Sequence, residues 1–266
     1  MTSAADMPTS LPPARSLPKF GGFTLGMIGL ELRRMVRNRR TVIFTLVTPA
    51  VFFLLFGTGG DYKTERVGGG NVTGLILVSM AVYGAMLATT SGGAMVSVER
   101  AAGWSRQLRL TPLQPAAYVA VKLVLAVIIG AVSVAVAFTV GAFAGAELPA
   151  QAWVWCGLLA WVCSLVFAAF GLFMGYLLPS ENVMQILGPV LAVLSFAGGL
   201  FVPLDQLGPT FGTIARFTPV YGVGEIARYP LTHDGNLWLA ALNVVVWTAL
   251  FAAGAMWRFR RDTSRV

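Results

Sequence analysis

Few residues in this chain could do chemistry, and their spacing excludes most of it. Three lysines, Lys19, Lys63 and Lys122, are the candidates for gripping a nucleotide phosphate. A phosphate-binding loop ends in Gly-Lys-Ser/Thr. Only Lys63 is followed by Thr, and Tyr62 precedes it, so ATP hydrolysis by this chain itself is not expected. The single histidine, His233, lies beside Asp234 in a Gly/Asn-containing stretch. It reads as a surface-loop histidine, not as the base of a nucleophilic triad. Cys156 and Cys163 are seven apart in an apolar run. That spacing puts them about 10 Å apart on one helix face, too far for a disulfide. Two cysteines and one histidine are also too few for a closed zinc site. No catalytic residue, no metal and no cofactor in this chain are expected.

The elements that must carry so little chemistry are apolar. The chain has 266 residues, 56% hydrophobic and 11% charged, with a mean hydropathy of +0.75. A soluble domain carries about 25% charged residues, so a soluble fold is excluded, as is disorder of the whole chain. The net charge of +8 reads first as a membrane-orientation signal and second as nucleic-acid affinity. Six charge-free runs stand out: Thr41–Gly60, Val67–Val98, Leu123–Ala146, Leu148–Ser180, Asn182–Leu204 and Gly235–Trp257. Each reaches the roughly 20 residues that a membrane helix needs. None alternates as a barrel strand does, and lipid leaves the helix as the remaining option for the backbone. The first run is not a cleavable signal peptide. The expected fold is an all-α polytopic membrane protein with six transmembrane helices, near 41–58, 73–97, 118–145, 152–178, 183–203 and 237–257.

Orientation follows from the basic residues. Arg15, Lys19, Arg33, Arg34, Arg37, Arg39 and Arg40 precede the first run. Arg100, Arg106 and Arg109 lie in the loop after the second, and Arg258, Arg260, Arg261 and Arg265 end the chain. The opposite side holds Lys63, Arg66, Arg216 and Arg228. By the positive-inside rule both termini are expected in the cytoplasm. Residues 1–20, rich in Pro, Ser, Thr and Ala, read as a disordered tail, and 261–266 as a second cytoplasmic tail. In 24–40, Leu25, Ile28, Leu32, Met35 and Val36 recur at helical spacing, with Arg33, Arg37 and Arg40 opposite. With Arg34 this makes an amphipathic interfacial helix whose basic face suits anionic headgroups, either a topological anchor or a helix that touches a cytoplasmic partner.

The loop at 99–112 reads Glu-Arg-Ala-Ala-Gly-Trp-Ser-Arg-Gln-Leu-Arg-Leu-Thr-Pro. Glu99, Arg100, Gly103, Leu108, Thr111 and Pro112 resemble the cytoplasmic signature of ABC-2 type transporter permeases. In that family the second helix ends in Glu-Arg, a glycine follows, and a short helix stops at Thr-Pro. Ala101, Ala102 and Trp104 depart from the usual residues. The run Gly198–Pro203, then Leu207-Gly208-Pro209 and Phe217–Tyr221, is similar to the family's external segment. The resemblance covers about residues 24–260, with 21–260 as one transmembrane domain and 203–235 as an external segment. Prolines at 203, 209, 219 and 230 favour two short re-entrant or interfacial helices there over one long one.

The resemblance implies a permease subunit of a bacterial exporter, in the cytoplasmic membrane. A second permease, a copy or a related chain, would complete the pore. Two copies of a separate ATPase subunit would bind ATP and Mg. The loop would act as a lever, through Glu99, Arg100, Gly103, Trp104, Arg106, Arg109 and Pro112, or else it is a solvated loop whose arginines only set topology. Gly141/Gly145 and Gly171/Gly175 are candidate close-contact faces at the subunit interface. Phe52, Phe53, Tyr83 and Met86 are candidates for the path, or ordinary packing residues. Gly199, Pro203, Pro219 and Tyr221 shape the external segment, with Glu225 and Arg228 as a gate or packing pair. Lys122 is expected to snorkel to the cytoplasmic surface. No midplane acid is present for a proton-coupled carrier. The expected cargo is a hydrophobic or amphiphilic drug, antibiotic or lipid, the alternative being a glycolipid or polysaccharide. Multidrug efflux or antibiotic resistance is the implied setting.

Overall fold

The computed structural model describes residues 24–103, 115–180 and 183–264. The described residues are almost wholly helical. An outer helix α1 (Leu25–Arg37) leads into α2 (Arg39–Val42), a π turn (Ile43–Val47) and α3 (Thr48–Gly57). A two-stranded hairpin, β1 (Arg66–Val67) and β2 (Gly70–Asn71), departs from the all-α expectation. Then follow α4 (Val72–Ala101), α5 (Pro115–Ala144), α6 (Ala150–Cys163), α7 (Leu165–Leu177) and α8 (Val183–Ala197). Helices α9 (Pro209–Ala215), α10 (Pro219–Thr232) and α11 (Leu237–Ser264) complete the order.

Among the described residues, four helical stretches are long and apolar enough to cross a membrane: Val72–Ala101, Ala117–Ala144, Ala150–Leu177 and Leu237–Arg261. The first and fifth apolar runs form shorter helices, Ile43–Gly57 and Gln185–Ala197. Of the six expected spans, four are helices of spanning length and two are shorter among the described residues. Each short helix contains a proline, Pro49 and Pro189, around which it continues, and α8 ends before Gly198-Gly199.

Helix α4 is the centre of the bundle. Of its most apolar window 83% is buried, against 22% for that of α11. A helix enclosed on all sides must let its neighbours approach closely, and its sequence supplies small residues for that. A Cβ on Gly171 would collide with the carbonyl of Thr90, and one on Gly93 with the backbone of α7. Gly141 is covered by Leu77 of α4. The two GxxxG pairs expected at a subunit interface are thus engaged within the chain. Gly171 and Gly175 seat α7 on α4, and Gly141 seats α5 on it. Gly145 ends α5 with φ +95°, against Lys63.

Hydroxyls bond to the backbone where helices depart from regularity. Pro49 has no N–H for the carbonyl of Thr45, four residues earlier. The π turn sits there, and Ser133 of α5 donates to that carbonyl at 3.1 Å. The fourth run breaks between α6 and α7 at Ser164. Thr89 of α4 donates to the Ser164 carbonyl at 3.1 Å, and the Trp161 indole donates to Val127 of α5 at 2.8 Å. At the hairpin end, Asn71 caps α4 and joins three segments. Its Oδ1 accepts from Gly74 and Glu147, and its amide donates to Lys63 and Gly145. The Arg66–Glu147 pair at 2.6 Å closes the same corner. His233 is exposed and ends α10 in the left-handed conformation.

The α4–α7 contact yields a stability test. Gly171→Ala forces backbone apart and should lower stability by about 1–3 kcal/mol. Gly26→Ala, on α1 with nothing within 4 Å of the added carbon, should be neutral or slightly stabilising. Thermal unfolding of both variants in detergent compares the two. Equal midpoints would remove the close approach as a stabilising contact.

Candidate functional site

The site grows from two adjacent residues at the end of α4. Successive residues on a helix project about 100° apart, so Glu99 and Arg100 point to different neighbours. Glu99, 2% exposed, faces α5 and α1. One carboxylate oxygen accepts from the Tyr118 hydroxyl, and the other accepts from Lys122 Nζ at 2.5 Å. Tyr118 and Lys122 are four apart on α5 and therefore share a face. The Lys122 ammonium also reaches Glu31 on α1 at 2.9 Å. Arg34 stands 3.6 Å from Glu99 and 3.8 Å from Glu31. Two carboxylates thus meet two cations. This balance is what allows the cluster to be buried, since an unpaired buried ion costs several kcal/mol.

Lys122 corrects an expectation. It does not snorkel; it is 3% exposed and sits between two carboxylates. A cavity of about 200 Å³ adjoins it, lined by Glu31, Arg34, Asn38, Glu99 and Lys122 on the polar side. Met35, Gly92, Met95 and Leu125 form the apolar side.

Arg100 turns the other way. Its guanidinium donates to the carbonyls of Tyr176 at 3.2 Å and Gly175 at 3.5 Å. These belong to the last turn of α7, whose end carbonyls lack helical partners and carry partial negative charge. The same guanidinium lies 5.6 Å from the Tyr176 ring centroid. The Tyr176 ring meets Phe259 of α11 edge-on at 5.8 Å. One dipeptide therefore joins α4 to α1, α5, α7 and, through Tyr176, α11. Gly103 follows with φ +74°, a left-handed position that suits glycine after a helix end. Trp104, Arg106, Arg109 and Pro112 lie outside the described residues.

The remaining candidates fall elsewhere. Arg33, Arg34 and Arg37 are exposed on α1; the side chain of Arg40 lies outside the described residues. Phe53 and Met86 are fully buried and Tyr83 nearly so. Phe52 stacks on Tyr83 at 6.0 Å, and Tyr83 meets Phe201 edge-on at 5.0 Å. These rings pack α3, α4 and the exit of α8 together. In the 203–235 segment, Pro203 precedes a short 3-10 turn, and Pro209 and Pro219 each open a helix. Pro230 lies inside α10. Tyr221 is buried, and its N–H donates to the Thr218 hydroxyl. Glu225 and Arg228 are 3.8 Å apart. Arg228 also donates to the carbonyl of Gly199, whose φ is +76°, and so ties α10 to the exit of α8.

Sequence reasoning passed over Glu31, Tyr118 and Tyr176. Glu31 carried a signal. It sits on the inward stripe of α1 with Met27, Ile28, Leu32 and Met35, where a lone acid needs a cation. Replacing that cation tests the pairing. Lys122→Met leaves two carboxylates facing each other and should cost about 3–5 kcal/mol. Adding Glu31→Gln and Glu99→Gln should recover part of the loss. Thermal unfolding of the purified variants measures both changes. Additive losses would mean that the three residues do not act as a unit.

The arrangement is a charge-paired junction of α4 with α1 and α5, and a capped contact with α7. The chain is 27% identical over 226 residues to "Putative transport permease YvfS" of Bacillus subtilis (strain 168), covering 83% of this chain and 90% of that protein. The ABC-2 type transporter family matches residues 25–231. That span runs from the first residue of α1 through the Glu99–Arg100 joint to the end of α10, and this chain belongs to the ABC-2 type transporter family.

Proposed function

We propose that this membrane subunit forms half of an exporter pore, and that Glu99 and Arg100 are the joint through which a separate ATPase moves it. The observation that carries this reading is the divergence of two neighbouring side chains. A displacement of the chain beyond Gly103 pulls on α4, and the joint passes it to α1 and α5 through Glu99 and to α7 through Arg100. Charge pairs and a helix cap make this a stiff connection. The ATPase, in two copies, supplies the energy and holds ATP and Mg, consistent with the lack of a phosphate-binding loop in this sequence. Glu99, Arg100, Gly103, Trp104, Arg106, Arg109 and Pro112 make up the coupling segment in this reading.

A second permease subunit, a copy or a related chain, completes the pore. Both termini lie in the cytoplasm of a bacterial cell. The cargo is a hydrophobic or amphiphilic compound of the drug, antibiotic or lipid kind. The apolar middle of each long helix supports that class: the charged residues of Val72–Ala101, Ala117–Ala144 and Leu237–Arg261 stand near helix ends, and Ala150–Leu177 has none. Such a path has no fixed charge to pair with a small ion.

Reconstitution with the ATPase subunit tests the joint. Glu99→Ala or Arg100→Ala should lower transport per ATP hydrolysed by roughly tenfold, the scale of an ordinary coupling free energy. Folding and ATPase association should persist. Wild-type transport in both variants would reduce the joint to a packing feature. Failure of the wild-type chain to bind an ATPase subunit would end the reading altogether.

A further inference from the structure

Helix α1 has two unlike sides. Met27, Ile28, Glu31, Leu32 and Met35 turn inward. Outward stand Leu25, Leu30 and Val36, 83%, 72% and 62% exposed, beside Arg33, Arg34 and Arg37. Leu30 and the three arginines line a shallow hollow. The helix has a single acid, Glu31, which is turned inward to Lys122. The outward side is thus wholly basic or apolar. It belongs to a helix that enters the membrane domain directly through α2 and α3.

We infer that this hollow binds the headgroup of an anionic phospholipid, and that the lipid shares Arg34 with the buried Glu99. The exposed leucines and valine match acyl chains just below the headgroup, and guanidinium forks match phosphate oxygens. Arg34 is 55% exposed by its side chain, yet its guanidinium stands 3.6 Å from a carboxylate that is 2% exposed. It is the residue common to the surface hollow and the joint at the end of α4. Binding at the hollow and charge on Glu99 are therefore linked, and linkage is reciprocal. A carboxylate beside Arg34 lowers the positive potential that the headgroup meets, so removing the carboxylate strengthens lipid binding. The lipid in turn biases how firmly α1 is held to α4. The binding site stands on the geometry of α1 alone; only its consequence for transport rests on the coupling role proposed above.

The test uses the full chain in neutral detergent, without an ATPase subunit. Phosphatidylglycerol and phosphatidylcholine are titrated separately, and bound lipid is counted by native mass spectrometry. The wild-type chain should retain phosphatidylglycerol several-fold more strongly. Each arginine removed should weaken that retention roughly fivefold, so Arg33→Gln with Arg37→Gln should abolish most of the preference. Arg33→Lys with Arg37→Lys should keep most of it. Glu99→Gln should strengthen retention. If that variant does not fold, Glu31→Gln, which alters a carboxylate 3.8 Å from the same guanidinium, makes the same test. Equal retention of the two lipids, or a preference unchanged in the double glutamine variant, would overturn the site. Unchanged or weaker retention in the carboxylate variants would overturn the sharing of Arg34. In a separate pull-down with an ATPase subunit, a double glutamine variant that keeps its lipid preference in the lipid assay but loses the ATPase would show a protein-docking face and overturn the inference as well. Because the lipid assay holds no ATPase, its failure leaves the coupling reading standing, and the reverse also holds.

Discussion

A charge taken out of water must be paired where it is, and the architecture at one end of this protein depends on that requirement. Glu99 lies at the end of the most enclosed of the long helices and is 2% exposed. Lys122 and Tyr118 come from α5, while Glu31 and Arg34 come from α1. Loss of Lys122 would leave Glu31 and Glu99 with Arg34 alone. The positions of α1 and α5 against α4 are therefore set by charge as well as by packing. Within a bilayer this matters more than in water, because apolar burial gives helices little reason to prefer one another over lipid.

The same reasoning explains the choice of small residues on α4. With little hydrophobic drive between spans, attraction comes from close van der Waals contact and from hydroxyl bonds. Gly93, Gly171 and Gly175 bring two backbones together along α4 and α7. Thr89 and Thr90 then reach carbonyls at Ser164 and Phe167. Arg100 adds a cap at the last turn of α7. Glycines, hydroxyls and the guanidinium are thus three successive fastenings along one helix pair, and Arg100 is the one nearest the loop.

Much of the fold was legible in composition and spacing. The apolar runs located the helices. The Glu-Arg pair singled out in the sequence proves to be where α4 contacts α1, α5 and α7. Other features were not legible, for physical reasons. Run length does not reveal that Pro49 and Pro189 accompany short helices. A GxxxG pair specifies close approach without naming the partner, and here Gly171 meets Thr90 of the same chain. Lys122 near a helix end has the sequence signature of a snorkelling lysine. Only the tertiary approach of α1, bringing Glu31 to within 2.9 Å, makes it a buried bridge. That partner is 91 residues away in sequence, and no local pattern encodes it.

The two irregular points of the bundle lie against α4 as well. Ser133 donates to the carbonyl left by Pro49, and Thr89 adds a bond to the Ser164 carbonyl, which also accepts from the Phe167 N–H. Each of these is one hydroxyl on one carbonyl, an interaction worth about 1 kcal/mol. The cluster around Glu99 instead joins four charged groups and a tyrosine hydroxyl from three helices. A force applied where α4 ends therefore meets a stiff joint at that end and single hydroxyl bonds farther along. Strain entering at Arg100 should be carried whole through the joint and released at the weak points. In the proposed coupling, the first apolar helix and the α6–α7 break are the places where the bundle yields.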